Sequence, residues 1–265
     1  MNNQLQPMDF HFSYHKCLTV YLHRVMRTLF DPKLLNKIRK QLGVERKFGY
    51  KHFKAFKEEF LSEFHKYRFA SLDNHFMDLS DLPNIPKSHF VRDPRDLVVS
   101  GYFYHKRGSE SWVRISGPDE KDFRIVNGVV PEAISDEMSL HSYLNSCSLE
   151  DGLMAEIQFR SDHFKNMLAW SCDSNDCIEF RYEDIIGNEL EVFKKLFRHY
   201  GFGENLTRRG IKACEKYSAQ RQQDKLKHIR DPKPSQYLDV MPKKVLDYFN
   251  YHYKDLLFKY DYDIK

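Results

Sequence analysis

The stretch FHFSYHKCLTVYLHRVMRTLF, residues 10–30, allows few folds, because it reads as a buried strand that turns sharply into a helix with a lysine at the turn. Phe10 and Phe12 alternate with smaller or polar residues, as in a strand. From Leu18 the apolar spacing becomes helical through Leu22, Val25, Met26 and Leu29. Where a strand feeds a helix this way, backbone N–H groups and the positive end of the helix dipole converge on one concavity that suits an anion. Lys16 adds a formal charge there and Thr19 a hydroxyl in the first helical turn. The nucleoside-triphosphate form of this device, GxxxxGK[ST], is absent; here the lysine precedes the turn and is followed by Cys-Leu-Thr.

The same alternation recurs downstream. Residues 67–72 and 87–92 are predicted strands, the first ending in Asp73-Asn74-His75 and the second running into a helix opened by Asp93-Pro94. A further strand is predicted over 177–182, followed by a helix through Leu190, Val192, Phe193, Leu196 and Phe197 that ends at Gly201. Helices are also predicted over 32–42, 51–64, 137–147, 149–170, 204–217 and 242–260. The phenylalanines 53, 56, 60 and 64 form a core stripe at helical spacing. Strands alternating with helices imply an α/β fold, a mainly parallel sheet covered by helices on both faces, with ligands at the carboxyl ends of the strands. Residues 107–136, with Gly108, Gly117, Pro118, Gly128 and Pro131, read as a long irregular excursion over one edge of the sheet. No repeat or linker divides the chain, so a single domain over 1–265 is expected.

Composition removes other classes. With 41% hydrophobic residues, 15% aromatics and 265 residues the chain has ample material for a core. A net charge of +4, from 42 basic and 38 acidic residues, is too balanced for nonspecific nucleic-acid binding yet permits a local basic cleft for a small polyanion. The five cysteines, Cys17, Cys147, Cys172, Cys177 and Cys214, are odd in number and scattered, which favours free thiols and a reducing compartment over a disulfide framework. Cys172 and Cys177 are the only close pair, with no second pair to complete a zinc site. MNNQLQPMDF has neither the basic region nor the apolar run of a signal peptide, and no apolar segment has membrane-spanning length, so a soluble, cytoplasmic protein is expected.

The order His15-Lys16-Cys17-Leu18-Thr19-Val20 resembles the phosphosulfate loop, commonly PKSGTTW, of the sulfotransferases that use 3′-phosphoadenosine 5′-phosphosulfate (PAPS). Lys16 and Thr19 fall on the family's lysine and first threonine, Leu18 replaces its glycine and Val20 its second threonine. Leu18 must then accept a backbone shape that glycine often serves. VRDPRDLVVSGYF, residues 91–103, is similar to the family's 3′-phosphate motif, with Arg92 at a strand end and Ser100 eight residues later on a helix. An arginine fork takes two phosphate oxygens and the serine a third. Pairing of Arg92 with Asp96 is the structural alternative. FRYEDIIGNELEVFKKLFRHYGF, residues 180–202, resembles the YEDL segment that sets a tyrosine, here Tyr182, beside the nucleotide; a plain core tyrosine is the other reading. HIRDPKPSQYLDVM, residues 228–241, resembles the late RKGxxGxW loop, which makes Arg230 and Lys233 available to the 3′-phosphate. There Asp231, Pro232, Pro234 and Ser235 replace arginine, lysine or glycine, and Tyr237 replaces tryptophan.

The resemblance implies a single domain related to P-loop kinases that transfers a sulfuryl group from PAPS to a hydroxyl and leaves adenosine 3′,5′-bisphosphate. Lys16 is the cation for the bridging oxygen and His75, after the 67–72 strand, the base for the acceptor proton. Asp73, Glu58 and Glu59 are rival bases, while His23 reads as structural or as an edge of the acceptor site. No metal is expected, because lysine, arginine and helix amino ends neutralise the phosphates. The implied partner is a small-molecule or carbohydrate hydroxyl acceptor, with no nucleic acid or membrane, and the oligomeric state stays open. A nucleotide-binding or partner-binding protein without transfer activity is the alternative that Leu18, Val20 and the altered late loop favour. An ATP kinase is disfavoured by the missing GK[ST] order.

Overall fold

A computed structural model describes residues 9–30, 49–53, 57–218 and 231–264. Among these, five strands form one sheet in the order β2-β3-β1-β4-β5: β1 Asp9–Ser13, β2 Tyr50–Phe53, β3 Phe69–Asp73, β4 Lys87–Val91 and β5 Cys177–Arg181. All four pairings are parallel, with Ser13 beside Asp73 and Phe90, Phe53 beside Leu72, and Val91 beside Arg181. The carboxyl ends of all five strands therefore lie along one rim. The connection leaving β1 runs toward β2 and β3 and that leaving β4 toward β5, so a crevice opens between the ends of β1 and β4.

Helices cover both faces: α1 Thr19–Leu29, α2 Lys57–Glu63, α3 Pro94–Arg107, α4 Leu140–Ser146, α5 Leu149–Phe159, α6 Ser161–Ala169, α7 Glu189–His199, α8 Glu204–Tyr217, α9 Lys243–His252 and α10 Lys254–Lys259. The period-two pattern of β1 sends Phe10 and Phe12 into an aromatic core with Phe53, Phe60 and Trp170. The opposite face carries Phe69, Phe90, Leu22, Val25 and Phe193 in the larger core. Among the described residues no helix is long and apolar enough to cross a membrane.

Several expectations are corrected. Residues 51–64 are not one helix: Tyr50–Phe53 pairs with β3 and, among the described residues, only Lys57–Glu63 is α-helical; Phe56 of the stripe lies outside the described residues. The core role of the stripe holds for Phe53 and Phe60, whose rings lie 5.3 Å apart, so pairing with a buried neighbour strand overrode the local period. The helix predicted over 149–170 breaks at Arg160 and that over 242–260 at Tyr253. The 107–136 excursion contains three short helical turns, and Trp112, Val113 and Phe123 are buried, Trp112 stacking on Phe159 at 5.6 Å. It is thus anchored on α5 rather than draped over a sheet edge. Cys172 and Cys177 form a disulfide, their Cα atoms 5.3 Å apart, against the expectation of free thiols; the turn from α6 into β5 brings them together. The helix expected over 32–42 lies outside the described residues.

Candidate nucleotide and acceptor site

The turn after β1 is tight because two non-glycine residues take left-handed backbone, Lys16 at φ 79° and Leu18 at φ 59°. Leu18 adopts a left-handed shape that ordinarily favours glycine, at a steric cost of about 1 to 2 kcal/mol. It stands at the amino end of α1, which has neither a side-chain cap nor an acidic residue in its first turn, so the leading N–H groups of the helix keep their positive end for another partner. Cys17 folds inward, buried, its thiol pushed up to about 12 by burial. The His15 backbone N–H donates to Asn74 Oδ1 at 2.5 Å, tying the turn to the end of β3, and the His15 ring stacks on His105 with centroids 5.7 Å apart.

These residues border a cleft of about 500 Å³. His15, Lys16, Leu18, Thr19 and Val20 line it from the turn, Arg92 and Ser100 from β4 and α3, and Tyr182 from the end of β5. Lys16 Nζ lies 4.2 Å from the centroid of Tyr104, and its pKa falls to about 7 through burial and then through the charges of Arg92, Arg160 and Arg107. Burial and nearby cations thus leave the lysine short of negative charge, a deficit that an anion would fill.

Arg92 is buried. Its guanidinium stacks on Tyr182 at 4.0 Å, Nη1 donates to the Lys16 carbonyl at 3.4 Å and Nη2 to Asp96 Oδ2 at 3.3 Å, while Nε has no hydrogen-bond partner among the described residues. The Asp96 pairing weighed from sequence is therefore real and coexists with a place on the cleft wall. Asp96 also accepts from the backbone N–H groups of Ser235 and Tyr237 at 2.9 and 3.0 Å, which fastens the late segment to α3. Tyr182 is buried, and its hydroxyl donates to the Pro232 carbonyl at 2.7 Å.

The late segment differs from the sequence expectation. Asp231, Pro232 and Gln236 border the cleft, whereas Lys233 is exposed, is not among the lining residues and lies 3.8 Å from Asp239. The Lys233 backbone N–H donates to Asp231 Oδ1 at 2.8 Å. Arg230 lies outside the described residues.

At the end of β3, Asp73 borders the cleft and His75 is half-buried and not among the lining residues. Glu58 and Glu59 are exposed on α2, Glu59 lying 3.5 Å from Lys51. Asp73 is part of a polar chain that sequence reasoning missed. Ser13 Oγ donates to Asp73 Oδ1 at 3.1 Å and shares a 3.1 Å hydrogen bond with Thr19 Oγ1. His52 Nε2 lies 3.4 Å from Asp73 Oδ2, and His52 Nδ1 pairs with Ser71 Oγ at 3.1 Å. His52 was hidden inside a segment read as helix. Tyr104 and Arg107, also on the wall, follow Ser100 at helical spacing on α3, a signal that the sequence did carry.

No protein-family model matches the sequence, and no curated protein matches it. Among solved structures, mouse sulfotransferase SULT7A1 complexed with PAP aligns over 97% of this chain and 86% of that one, at 14% identity and a TM-score of 0.60. A retinol dehydratase in complex with androsterone and inactive cofactor PAP aligns over 98% of this chain and 83% of that one, at 16% identity and a TM-score of 0.45. The chain has a sulfotransferase fold: a five-stranded parallel sheet flanked by helices.

Proposed function

We propose that the chain is a sulfotransferase that moves the sulfuryl group of PAPS to a hydroxyl acceptor and releases adenosine 3′,5′-bisphosphate. The observation that carries this reading is that one cleft of about 500 Å³ is bordered both by Lys16 and Thr19 at the turn into α1 and by Arg92, Ser100 and Tyr182 from the ends of β4 and β5 and from α3. Cationic and hydroxyl groups from two strand ends, with an aromatic ring beside them, suit a nucleotide that carries charge at both its 5′ and 3′ ends.

In the transfer, the acceptor oxygen bonds to sulfur as the bond from sulfur to the bridging phosphate oxygen breaks. The electron pair leaves with the bisphosphate. Lys16 faces the charge that builds on that oxygen, and bound phosphate restores the proton that burial and neighbouring cations weaken in the free protein. The acceptor proton goes to the end of β3. His75 holds the position that the family resemblance favours, but Asp73 is the candidate on the cleft wall, with Ser13 holding its other oxygen, and we give it the role of base. Phe103, Tyr104, Trp112 and Ile125 offer the acceptor an apolar and aromatic wall, suited to a sugar face or a small apolar molecule.

Binding without transfer is the second reading, favoured by Asp231, a carboxylate on the wall where the related loops bring cations. Thermal denaturation separates the sulfotransferase reading from a kinase: the bisphosphate should raise the melting temperature more than ATP with magnesium does. A larger shift with ATP would overturn the reading. Incubation with labelled PAPS and an extract of small metabolites then separates transfer from binding, since a protein that only binds labels no acceptor.

A further inference from the structure

We infer that His23, His52 and Asp73 form a binding site for a divalent transition-metal ion on the wall of the same cleft. Each offers one ligand atom, and these three atoms lie within 4.8 Å of one another. They come from three elements, α1, β2 and β3, brought together only by the parallel pairing of β2 with β3 beneath α1. His52 Nε2 and Asp73 Oδ2 are 3.4 Å apart. That is about the separation of two donors each about 2.1 Å from a shared tetrahedral centre. The imidazoles of His23 and His52 lie with centroids 3.7 Å apart, closer than two imidazoles on one tetrahedral ion sit, so the His23 ring, whose Nε2 lies 3.4 Å from Ser71 Oγ, must swing away from His52 to complete the set.

The surroundings are those of a ligand set rather than of three incidental polar groups. Metal-bound imidazoles and carboxylates are held by a second partner on their other polar atom. Here Ser71 Oγ sits 3.1 Å from His52 Nδ1, Ser13 Oγ donates to Asp73 Oδ1 at 3.1 Å, and Tyr50 Oη in turn holds Ser71 at 3.0 Å. Two imidazoles and one carboxylate suit zinc, cobalt, manganese or iron(II) rather than magnesium or calcium. All three residues border the cleft, so an ion has a way in.

The sheet order puts this site on the β2 and β3 side of the Lys16 turn, and Arg92 and Tyr182 on the β4 and β5 side. It is therefore distinct from the neutralisation of the phosphates, for which no metal is expected. With an ion bound, Asp73 would be a ligand and no longer a base, and the ion would instead loosen the proton of an acceptor hydroxyl; the role of base given to Asp73 above belongs to the metal-free protein.

The test uses the full chain, without an affinity tag, stripped with a chelator and titrated with Zn²⁺ by calorimetry and with Co²⁺ by visible absorption. No nucleotide is present, so the outcome is independent of the transfer reading. One ion per chain is expected, with a rise in melting temperature. His23→Ala and His52→Ala should each abolish the stoichiometric site, and Ser71→Ala should weaken it by about 10- to 100-fold. If His52→Ala does not fold, His23→Gln, which keeps most of the side-chain volume on α1, carries the same expectation. Absence of a one-to-one site in the wild type, or its survival in the folded His23 variants, overturns the inference.

Discussion

The guanidinium of Arg92 stacks 4.0 Å above the ring of Tyr182 while Asp96, in the first turn of the next helix, takes one of its N–H groups. Stacking fixes the plane of the fork and the carboxylate fixes its rotation, while Nε is buried without a hydrogen-bond partner among the described residues. The same Asp96 carboxylate holds the backbone of Ser235 and Tyr237, so the arginine and the late segment are positioned by one group.

That arrangement dictates how Arg92 is to be probed. Arg92→Ala would strand a buried Asp96 and damage the fold as well as the site. Arg92→Lys keeps the charge and loses the fork, and should weaken adenosine 3′,5′-bisphosphate by roughly 1.5 to 3 kcal/mol, about 10- to 150-fold in Kd, while AMP is barely affected. Ser100→Ala should cost the bisphosphate about 1 kcal/mol with the same indifference of AMP. Calorimetric titration of both nucleotides decides it, and equal losses for the two would make these residues structural.

Lys16 predicts a pH dependence of binding. Its pKa of about 7 in the free protein must rise when phosphate binds, so binding takes up a proton above pH 7 and none below. Affinity for the bisphosphate should therefore be level just below pH 7 and fall by up to about tenfold per pH unit above it. The phosphates do not mask this, since their second ionisation lies near pH 6. In Lys16→Arg, which keeps its charge throughout, the fall should vanish; a wild-type affinity that stays level to pH 9 contradicts the assignment.

The base is separated by paired variants assayed with a chelator present. Asp73→Asn should lower turnover by roughly 10²- to 10⁴-fold and leave bisphosphate affinity nearly unchanged. His75→Ala should have a much smaller effect. The reverse pattern would return the role to His75, the residue that the family resemblance favours.

Leu18 tests the strain in the turn. With φ at 59°, glycine should be better tolerated than alanine, opposite to their order at ordinary helical positions. Leu18→Gly should be more stable than Leu18→Ala by about 1 kcal/mol in urea denaturation. If alanine is the more stable, the left-handed turn is not retained in the variants.

The sequence by itself determined the sheet's buried strands and the turn with its lysine, whereas Arg92 and Ser100 were singled out only by the family resemblance. The first two are written in neighbouring residues: the period of two along β1 and the change of period at Leu18. Only the tertiary structure decided that residues 50–53 are an edge strand, because that choice depends on hydrogen bonds to β3 and not on the phenylalanine spacing within the segment. The same pairing brought His52 to Asp73, and Lys233, expected at the phosphate, stands exposed beside Asp239 away from the cleft wall. Contacts of this kind join residues far apart in the chain, so their energy is felt only after the sheet has closed and leaves no local period to read.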